Sequence, residues 1–273
     1  MASEPTIIFS VNKMRIVLII NESSPWKLRF IQGVIKRLPQ QYEIVGAVYS
    51  TFCPKDVSKF QHAKRHFIIF GPRGFALMLS YKLYYFLADV IDRIFPLPMP
   101  YSIAGVYRRN KIPMFFDKDI NSKATIEWIK RIKPDIILSS GNQIFKEELL
   151  AIPRIACLNR HTSLLPAYGG IYPVFWCMLN KEEKVGVSVH IMTSKIDEGA
   201  IISQRSLYIT PEDSLFSLYE KCFDISVDVV LEAIKKVGSG NYKPIISTTA
   251  KSYYSYPSWK DVLRFRRLGK KIV

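Results

Sequence analysis

Residues 125–140, TIEWIKRIKPDIILSS, contain an amphipathic helix that ends at Pro134 and runs directly into a continuous apolar strand. A similar alternation begins the chain. There the apolar run MRIVLII at 14–20 precedes a helical pattern over 26–38 and a second run, EIVGAVYS, at 43–50. Strands that are apolar throughout are buried between two layers of helices, so this alternation predicts an α/β fold with a doubly wound, mostly parallel sheet.

We divide the chain into three parts on this pattern. Residues 1–13 form a leader, 14–210 a single α/β domain, and 211–273 a C-terminal extension with one long helix and a basic tail. Residues 51–112 interrupt the alternation and are interpreted as a variable insert. The leader has neither a basic n-region nor a small-residue cleavage site, so we expect no secretory signal.

The insert contains an aromatic helical stretch at 75–95. It carries four charged residues, Lys82, Asp89, Asp92 and Arg93. A membrane-spanning helix needs about 20 mostly uncharged residues, so we reject a span. We interpret the stretch as core or packing surface, with a membrane-facing or partner-facing role as the alternative. His62 and His66 lie in a basic run and are interpreted as a solvated face.

The composition is that of a globular protein with an excess of positive charge. Hydrophobic residues make up 48% of the chain, which excludes a disordered chain, and 39 Lys and Arg against 23 Asp and Glu give a net charge of +16. An excess of this size favours an anionic partner. The cysteines are too far apart to indicate a zinc site or a disulfide framework, and they favour a reducing compartment: Cys53, Cys157, Cys177 and Cys222.

The turn after the first strand, IINESSPWK at 19–27, contains no glycine. Dinucleotide-binding turns need glycines for the close approach of the pyrophosphate, so an NAD-dependent enzyme is disfavoured. No phosphate-binding loop of the GxxxxGK[ST] type occurs either.

The segment most informative about function lies between 155 and 199. Asn159 and His161 are two residues apart, so both side chains point to the same side if the chain is extended. The alternating stretch VGVSVHIM then leads through SKIDEGA into IISQRSLYI, which predicts a hairpin with Asp197 at its tip. Polar side chains at the carboxyl end of a parallel strand are typical of a ligand site in α/β sheets.

These segments together resemble the folate-dependent formyltransferases. The shared pattern is Asn-x-His, then Ser-Leu-Leu-Pro with a glycine-rich turn, and an Asp-x-Gly 36 residues after the histidine, here Asp197 and Gly199. The resemblance covers roughly 14–210 and is strongest at 155–204. It implies a Rossmann-like formyltransferase domain.

By this resemblance Asn159, His161 and Asp197 are the catalytic residues. An amide and an imidazole can donate to the oxyanion that forms when an amine attacks a formyl carbon, and a carboxylate can hold the histidine or relay the proton of the amine. The resemblance also implies 10-formyltetrahydrofolate as formyl donor and no metal. The expected folate contacts are Gly141, Asn142, Gln143, Ile144, Phe145, Ile196 and Gly199. Expected acceptor contacts or supporting residues are Ser163, Tyr168, Gly169, Gly170, Ser188 and His190.

The acceptor that we favour is a nucleotide-linked amino sugar for surface-polysaccharide synthesis. The 63 residues after Thr210 begin with a helix, which disfavours the C-terminal barrel of enzymes acting on methionyl-tRNA. Methionyl-tRNA, glycinamide ribonucleotide and hydroxyornithine stay open as acceptors. A further alternative is a non-catalytic protein whose basic tail, 258–273, binds membrane or nucleic acid. We expect a cytoplasmic protein that does not need nucleic acid, and we leave a homodimer and peripheral membrane contact open.

Overall fold

The computed structural model describes residues 13–20, 25–50, 59–141 and 143–273. Its elements follow in chain order: β1 Met14–Ile19, α1 Pro25–Arg37, β2 Tyr42–Tyr49, α2 Lys59–Ile94, α3 Ile103–Arg109, β3 Met114–Phe116, α4 Lys123–Ile132, β4 Ile136–Ser139, α5 Glu147–Leu150, β5 Ala156–His161, β6 Gly169–Gly170, α6 Pro173–Leu179, β7 Lys184–Ile191, β8 Ile201–Tyr208, α7 Leu215–Gly238, β9 Tyr253–Tyr254 and α8 Trp259–Arg267.

Seven strands form one sheet in the order β3-β2-β1-β4-β5-β7-β8. The first five are parallel, whereas β7 is antiparallel to both β5 and β8. This confirms the predicted α/β fold with a mostly parallel sheet. The β7–β8 hairpin was also predicted correctly, because a strict apolar alternation such as that of β7 is typical of antiparallel strands.

Helices cover both faces of the sheet. In β4, Ile136 and Leu138 belong to the larger core, which includes side chains of α1, α6 and α7, while Ile137 belongs to a smaller core under α4 and α5. Consecutive side chains of a strand point to opposite faces, so a fully apolar strand needs a layer on each side. The strand is therefore apolar along its whole length because each of its two faces packs into a separate core.

The helix α2 is bent at Gly71, whose φ of 67° is left-handed and is followed by Pro72. From Ala63 to Ile94 the helix is long and apolar enough to cross a membrane by length and composition, and few of its residues are buried. Our interpretation of 75–95 as core is wrong for one face, since Leu79, Phe86 and other apolar side chains are at least half exposed.

The solvated-face interpretation is wrong for His66. Its Nδ1 lies 3.2 Å from the Tyr172 hydroxyl, and its ring stacks on Phe70. The side chain of His62 lies outside what the structure describes, as do the leader residues 1–12, the turn residues 21–24 and Cys53.

The last helix, α8, packs back onto α6. Phe265 of α8 is fully buried and stacks on Phe175 of α6 with ring centroids 4.6 Å apart. The last residues bond the start of α7, where Leu215 N donates to Lys271 O at 2.9 Å. The basic tail is therefore a docked helix in this structure.

Candidate active site

The strand β5 places Asn159 and His161 at the carboxyl edge of the sheet. Asn159 pairs with Ser139 of β4 on one side and with His190 of β7 on the other. Both predicted side chains therefore lie on one face, and a third polar side chain, that of His190, comes from the neighbouring strand.

A single carboxylate lies between two imidazoles. Asp197 Oδ2 is 3.7 Å from His161 Nδ1, and Asp197 Oδ1 is 3.5 Å from His190 Nε2. None of the three side chains is more than 9% exposed. The backbone of Asp197 is left-handed, with φ 55°, and the Gly170 N–H donates to Oδ2 at 2.8 Å. The predicted hairpin tip thus reaches back over the end of β5.

Backbone carbonyls determine which nitrogen of each ring carries a proton. His161 Nε2 is 3.0 Å from Tyr168 O, and His190 Nδ1 is 3.0 Å from Ile191 O. A carbonyl oxygen only accepts, so these two nitrogens are the donors. The other nitrogen of each ring then faces Asp197, and a proton gained there is held against the carboxylate.

The electrostatic balance keeps Asp197 ionised. Burial raises the pKa of Asp197, but the charge of protonated His161, a hydrogen bond from His190 once its Nε2 is protonated, and the Gly170 N–H together outweigh it and lower the pKa to about 2. Burial lowers the pKa of His161 below its usual 6.5, although Asp197 opposes this. At neutral pH the pair is an ionised carboxylate beside a neutral imidazole, which is able to take up a proton.

Asn159 uses its amide nitrogen inside the site and leaves its oxygen free. Nδ2 lies 3.3 Å from His190 Nε2, whereas the buried Oδ1 has no hydrogen-bond partner among the described residues. A buried carbonyl oxygen without a partner is costly and is usually satisfied by a ligand or water. The free oxygen suits the N–H of an amine, while the second hydrogen of Nδ2 remains able to donate.

His190 is a more central residue than the sequence indicated. We expected an acceptor contact or a supporting residue, and the structure places it in contact with both Asn159 and Asp197. The alternation of VGVSVHIM puts His190 and Ser188 on one face, but the register of β7 against β5 cannot be read from either strand alone.

Ser188 holds the loop after β5. Its hydroxyl donates to Ser163 O at 2.6 Å and accepts from Leu165 N at 3.0 Å and from Gln204 Nε2 at 2.8 Å. Ser188 and Ser163 are both fully buried, so these serines support the loop through hydrogen bonds. Gln204 was missed because its strand is only half buried and its partner lies 16 residues away.

Tyr168 and the two glycines connect the site to the C-terminal extension. Tyr168 donates its hydroxyl to Glu182 at 2.6 Å and stacks on Tyr254. Gly169 and Gly170 pair as β6 with β9. Gly170 has φ 93°, and a Cβ there would lie 2.1 Å from Tyr254 O, so only glycine fits. This contribution of residues 253–254 was not predicted.

The predicted folate loop presents apolar and backbone groups. Ile144 is 61% and Ile196 43% exposed, so two loops each offer an accessible apolar side chain. Phe145 is buried in the smaller core, which leaves its backbone as the part available to a ligand. Gln143 donates to Ser50 Oγ at 2.6 Å and accepts from Ile120 N at 3.2 Å, so its amide orders the loop.

The remaining predicted contacts of the folate loops include two glycines, Gly199 and Gly141. Gly199 is required by packing, because a Cβ there would lie 1.6 Å from Ile191 O. Gly141 lies two residues after the end of β4 and is partly exposed, and Asn142 lies outside the described residues.

A cavity of about 560 Å³ opens at the same edge of the sheet, between α1, α2 and α3. Tyr49 and Phe116, the last residues of β2 and β3, contribute to it, with Trp26 at the start of α1. Its polar lining includes Lys82 and Arg108. Volumes of this size are typical of small-molecule sites.

Comparisons with known proteins confirm the resemblance to formyltransferases. Residues 106–234 match the family described as formyl transferase. The chain is 37% identical over 157 residues to the bifunctional polymyxin resistance protein ArnA of Wigglesworthia glossinidia brevipalpis, covering 57% of this chain and 24% of ArnA. It is 30% identical over 143 residues to the methionyl-tRNA formyltransferase of Thermotoga maritima, covering 52% of this chain and 46% of that protein.

The chain therefore spans less than half the length of these two curated relatives. Among solved structures, WlaRD, a sugar 3N-formyl transferase in the presence of dTDP and 5-N-formyl-THF, has a TM-score of 0.58 and 19% identity. That likeness covers 94% of this chain and 82% of WlaRD. At this identity it shows a shared fold and does not identify an acceptor.

Proposed function

We propose that this chain transfers a formyl group from 10-formyltetrahydrofolate to a primary amine. The premise is that residues 106–234 are a formyl transferase domain. The observation that carries the proposal is the arrangement of Asp197 between His161 and His190, with Asn159 beside them. All four residues lie within the matched segment.

The residues fit the removal of a proton from an attacking amine. When the amine nitrogen bonds to the formyl carbon and the bond from that carbon to the folate nitrogen breaks, the new amide must lose one proton. In our proposal the neutral His161 takes that proton on Nδ1 and Asp197 stabilises the resulting imidazolium at 3.7 Å; the imidazolium then gives a proton to the departing folate nitrogen, which leaves as the neutral amine. Asn159 Oδ1 positions the amine, and the second Nδ2 hydrogen stabilises the developing oxyanion.

The donor supplies the formyl carbon, and its pteridine would lie against the loops that carry Ile144 and Ile196. Their exposed side chains offer apolar surface to a flat ring, and the backbone at Gly141 and Phe145 offers hydrogen-bonding groups. Among the described residues, no group of three or more His, Cys, Asp or Glu side chains is arranged to hold a metal ion.

The acceptor that we propose is a nucleotide-linked amino sugar. The cavity at the sheet edge combines aromatic side chains, among them Trp26 and Tyr101, with Lys82 and Arg108. Aromatic rings suit a nucleobase, and cations suit a diphosphate. Residues 211–273 form two helices and a short strand, so the described extension does not resemble an RNA-binding barrel.

A direct screen tests the acceptor. The full chain is incubated with 10-formyltetrahydrofolate and, separately, with a panel of nucleotide-linked amino sugars, methionyl-tRNA, glycinamide ribonucleotide and hydroxyornithine. Mass spectrometry reads the gain of one formyl group. We expect a nucleotide amino sugar to be formylated with a modest salt dependence, because one diphosphate is engaged.

The screen also separates the alternatives. Efficient formylation of methionyl-tRNA with a steep salt dependence, and of no sugar, would overturn the amino-sugar proposal but not formyl transfer. Absence of product with every amine, under conditions where the chain binds the folate, would favour the non-catalytic alternative. The variant His161→Ala serves as the inactive control and the exposed variant Lys123→Ala as the active one.

A further inference from the structure

The second half of α2 carries an exposed apolar stripe that the proposed reaction does not use. We call it the α2 ridge; its residues are Leu79, Leu83, Leu87, Val90, Ile91 and Ile94. At 100° per residue these six positions fall within one 120° sector of the helix. Their side chains are between 39% and 67% exposed, so the stripe is a continuous outward surface.

The opposite side of α2 is fixed to the domain by buried charge. Asp89 is 6% exposed and accepts from Ser102 Oγ at 2.5 Å and from Arg93 Nη2 at 2.7 Å. Arg108 of α3 also approaches it at 3.2 Å. A helix with this polar, protein-bound side cannot be surrounded by lipid. It can lie flat on a surface with the ridge outward.

A cationic surface adjoins the start of the same helix segment. The bend at Gly71 touches the last helix, since a Cβ at Gly71 would lie 2.5 Å from Arg266 Nη2 of α8. Arg264 and Arg267 on that helix are exposed as well, as is Lys271 just after it. Arg266 therefore contacts α2 at the bend, eight residues before the α2 ridge begins at Leu79.

We propose that the α2 ridge and the basic face of α8 dock this protein on an anionic lipid bilayer. An interfacial helix inserts its apolar stripe to the level of the acyl chains, and cations next to it gain attraction from anionic headgroups. The α2 ridge protrudes, and a bilayer can deform around a protruding surface. A second copy is the less suitable occupant because two chains of net charge +16 repel each other.

Vesicle sedimentation of the full chain tests this docking. The vesicles contain either phosphatidylcholine alone or phosphatidylcholine mixed with phosphatidylglycerol. We expect binding to the mixed vesicles that weakens as salt rises. The ridge variant Leu87→Glu/Ile91→Glu and the charge variant Arg264→Glu/Arg267→Glu should each bind at least about tenfold more weakly.

Two matched controls change similar groups elsewhere. Ile246→Glu alters an apolar side chain that is 92% exposed, and Lys123→Glu reverses a charge on a side chain that is 92% exposed. Both should bind as the unaltered chain does. Thermal unfolding verifies that each variant is folded. If the ridge variant is unstable, the vesicle binding of the charge variant alone tests the proposal.

Two results would overturn the docking proposal: the unaltered chain does not sediment with mixed vesicles, or both double variants bind as well as the controls. If vesicle binding is absent and sedimentation velocity shows a dimer that the ridge variant dissociates, a second copy is the occupant. Because binding is measured without substrate, none of these results depends on formyl transfer.

Discussion

At the scale of single residues, the environment of Asp197 explains why this carboxylate differs from an ordinary turn residue. Its left-handed backbone directs the side chain inward, where it meets the N–H of Gly170 and two imidazoles. An exposed turn aspartate would bond its own backbone instead. Burying a charged carboxylate costs free energy, and the Gly170 N–H and the two imidazoles offset that cost. All three groups must be in place to keep the buried carboxylate ionised.

Replacing either partner of the His161–Asp197 pair should remove most of the rate. We expect His161→Ala and Asp197→Asn each to lower kcat by about 10²–10³, because a general base with its supporting charge contributes a factor of this order. Initial rates at saturating substrate measure the effect. Asp228→Asn, which alters an exposed ion pair, is the matched control and should keep kcat. A folded His161 or Asp197 variant with near-normal kcat would exclude that residue from catalysis.

The pH dependence follows from the sign of two pKa shifts. His161 must be neutral to take a proton, and burial lowers its pKa below 6.5, so activity should rise with pH and reach half its maximum below pH 6.5. Asp197 has a pKa of about 2 and stays ionised, so its titration causes no rise or fall of activity between pH 4 and 9. A profile of kcat against pH checks this. An acid limb at or above pH 6.5 contradicts the assignment.

At the scale of elements, two pairings assemble the site from distant parts of the chain. The antiparallel pairing of β5 with β7 sets Asn159 opposite His190, and the pairing of β6 with β9 fixes the glycine loop that donates to Asp197. The second pairing depends on the C-terminal extension, which α8 secures by burying Val262 and Phe265. The last helix is thus a structural support of the candidate site.

Truncating the buried anchor of α8 should cost far more stability than truncating an exposed one. Phe265→Ala removes a ring that is fully buried and stacked on Phe175, so we expect the free energy of unfolding to fall by about 3–5 kcal/mol. Trp259→Ala on the same helix, with 52% of the residue exposed, should change it by about 0.5 kcal/mol or less. Urea titration measures both, and equal effects would contradict the docking of α8.

At the scale of the whole molecule, the dominant feature is the net charge of +16. Some arginines are neutralised locally, such as Arg154 by Asp135 at 2.5 Å and Arg205 by Asp228 at 3.2 Å. There are 16 more basic than acidic residues, so the surplus cations must face one another, solvent or a ligand. Repulsion among like charges destabilises the compact state and is screened by salt.

Salt should therefore stabilise the fold as a whole. We expect the unfolding temperature at pH 7 to rise by a few degrees, on the order of 1 kcal/mol, between low and moderate sodium chloride. Differential scanning fluorimetry measures the change. Near the isoelectric point, about pH 9.6, the same increase in salt should have much less effect. An unfolding temperature that falls with salt at pH 7 would show that favourable ion pairs outweigh the repulsion.

Local sequence determined the sheet, the hairpin and the identity of three of the four clustered side chains as candidate catalytic residues. Apolar runs such as 136–139 report burial on both faces directly, and strand periodicity places Asn159 and His161 together. The spacing to Asp197 added a family pattern. These features are encoded within about ten residues of chain or within a fixed motif, so they can be read without knowing the fold.

Only the tertiary structure decided which distant groups meet. The place of His190 between Asn159 and Asp197 depends on strand register, and the support of Gly170 by Tyr254 depends on where the last 30 or so residues dock. The exposure of the α2 ridge has the same origin, because an apolar helix pattern is identical whether its face meets a core or the solvent. Sequence periodicity specifies a face, while the packing of the whole chain decides what that face contacts.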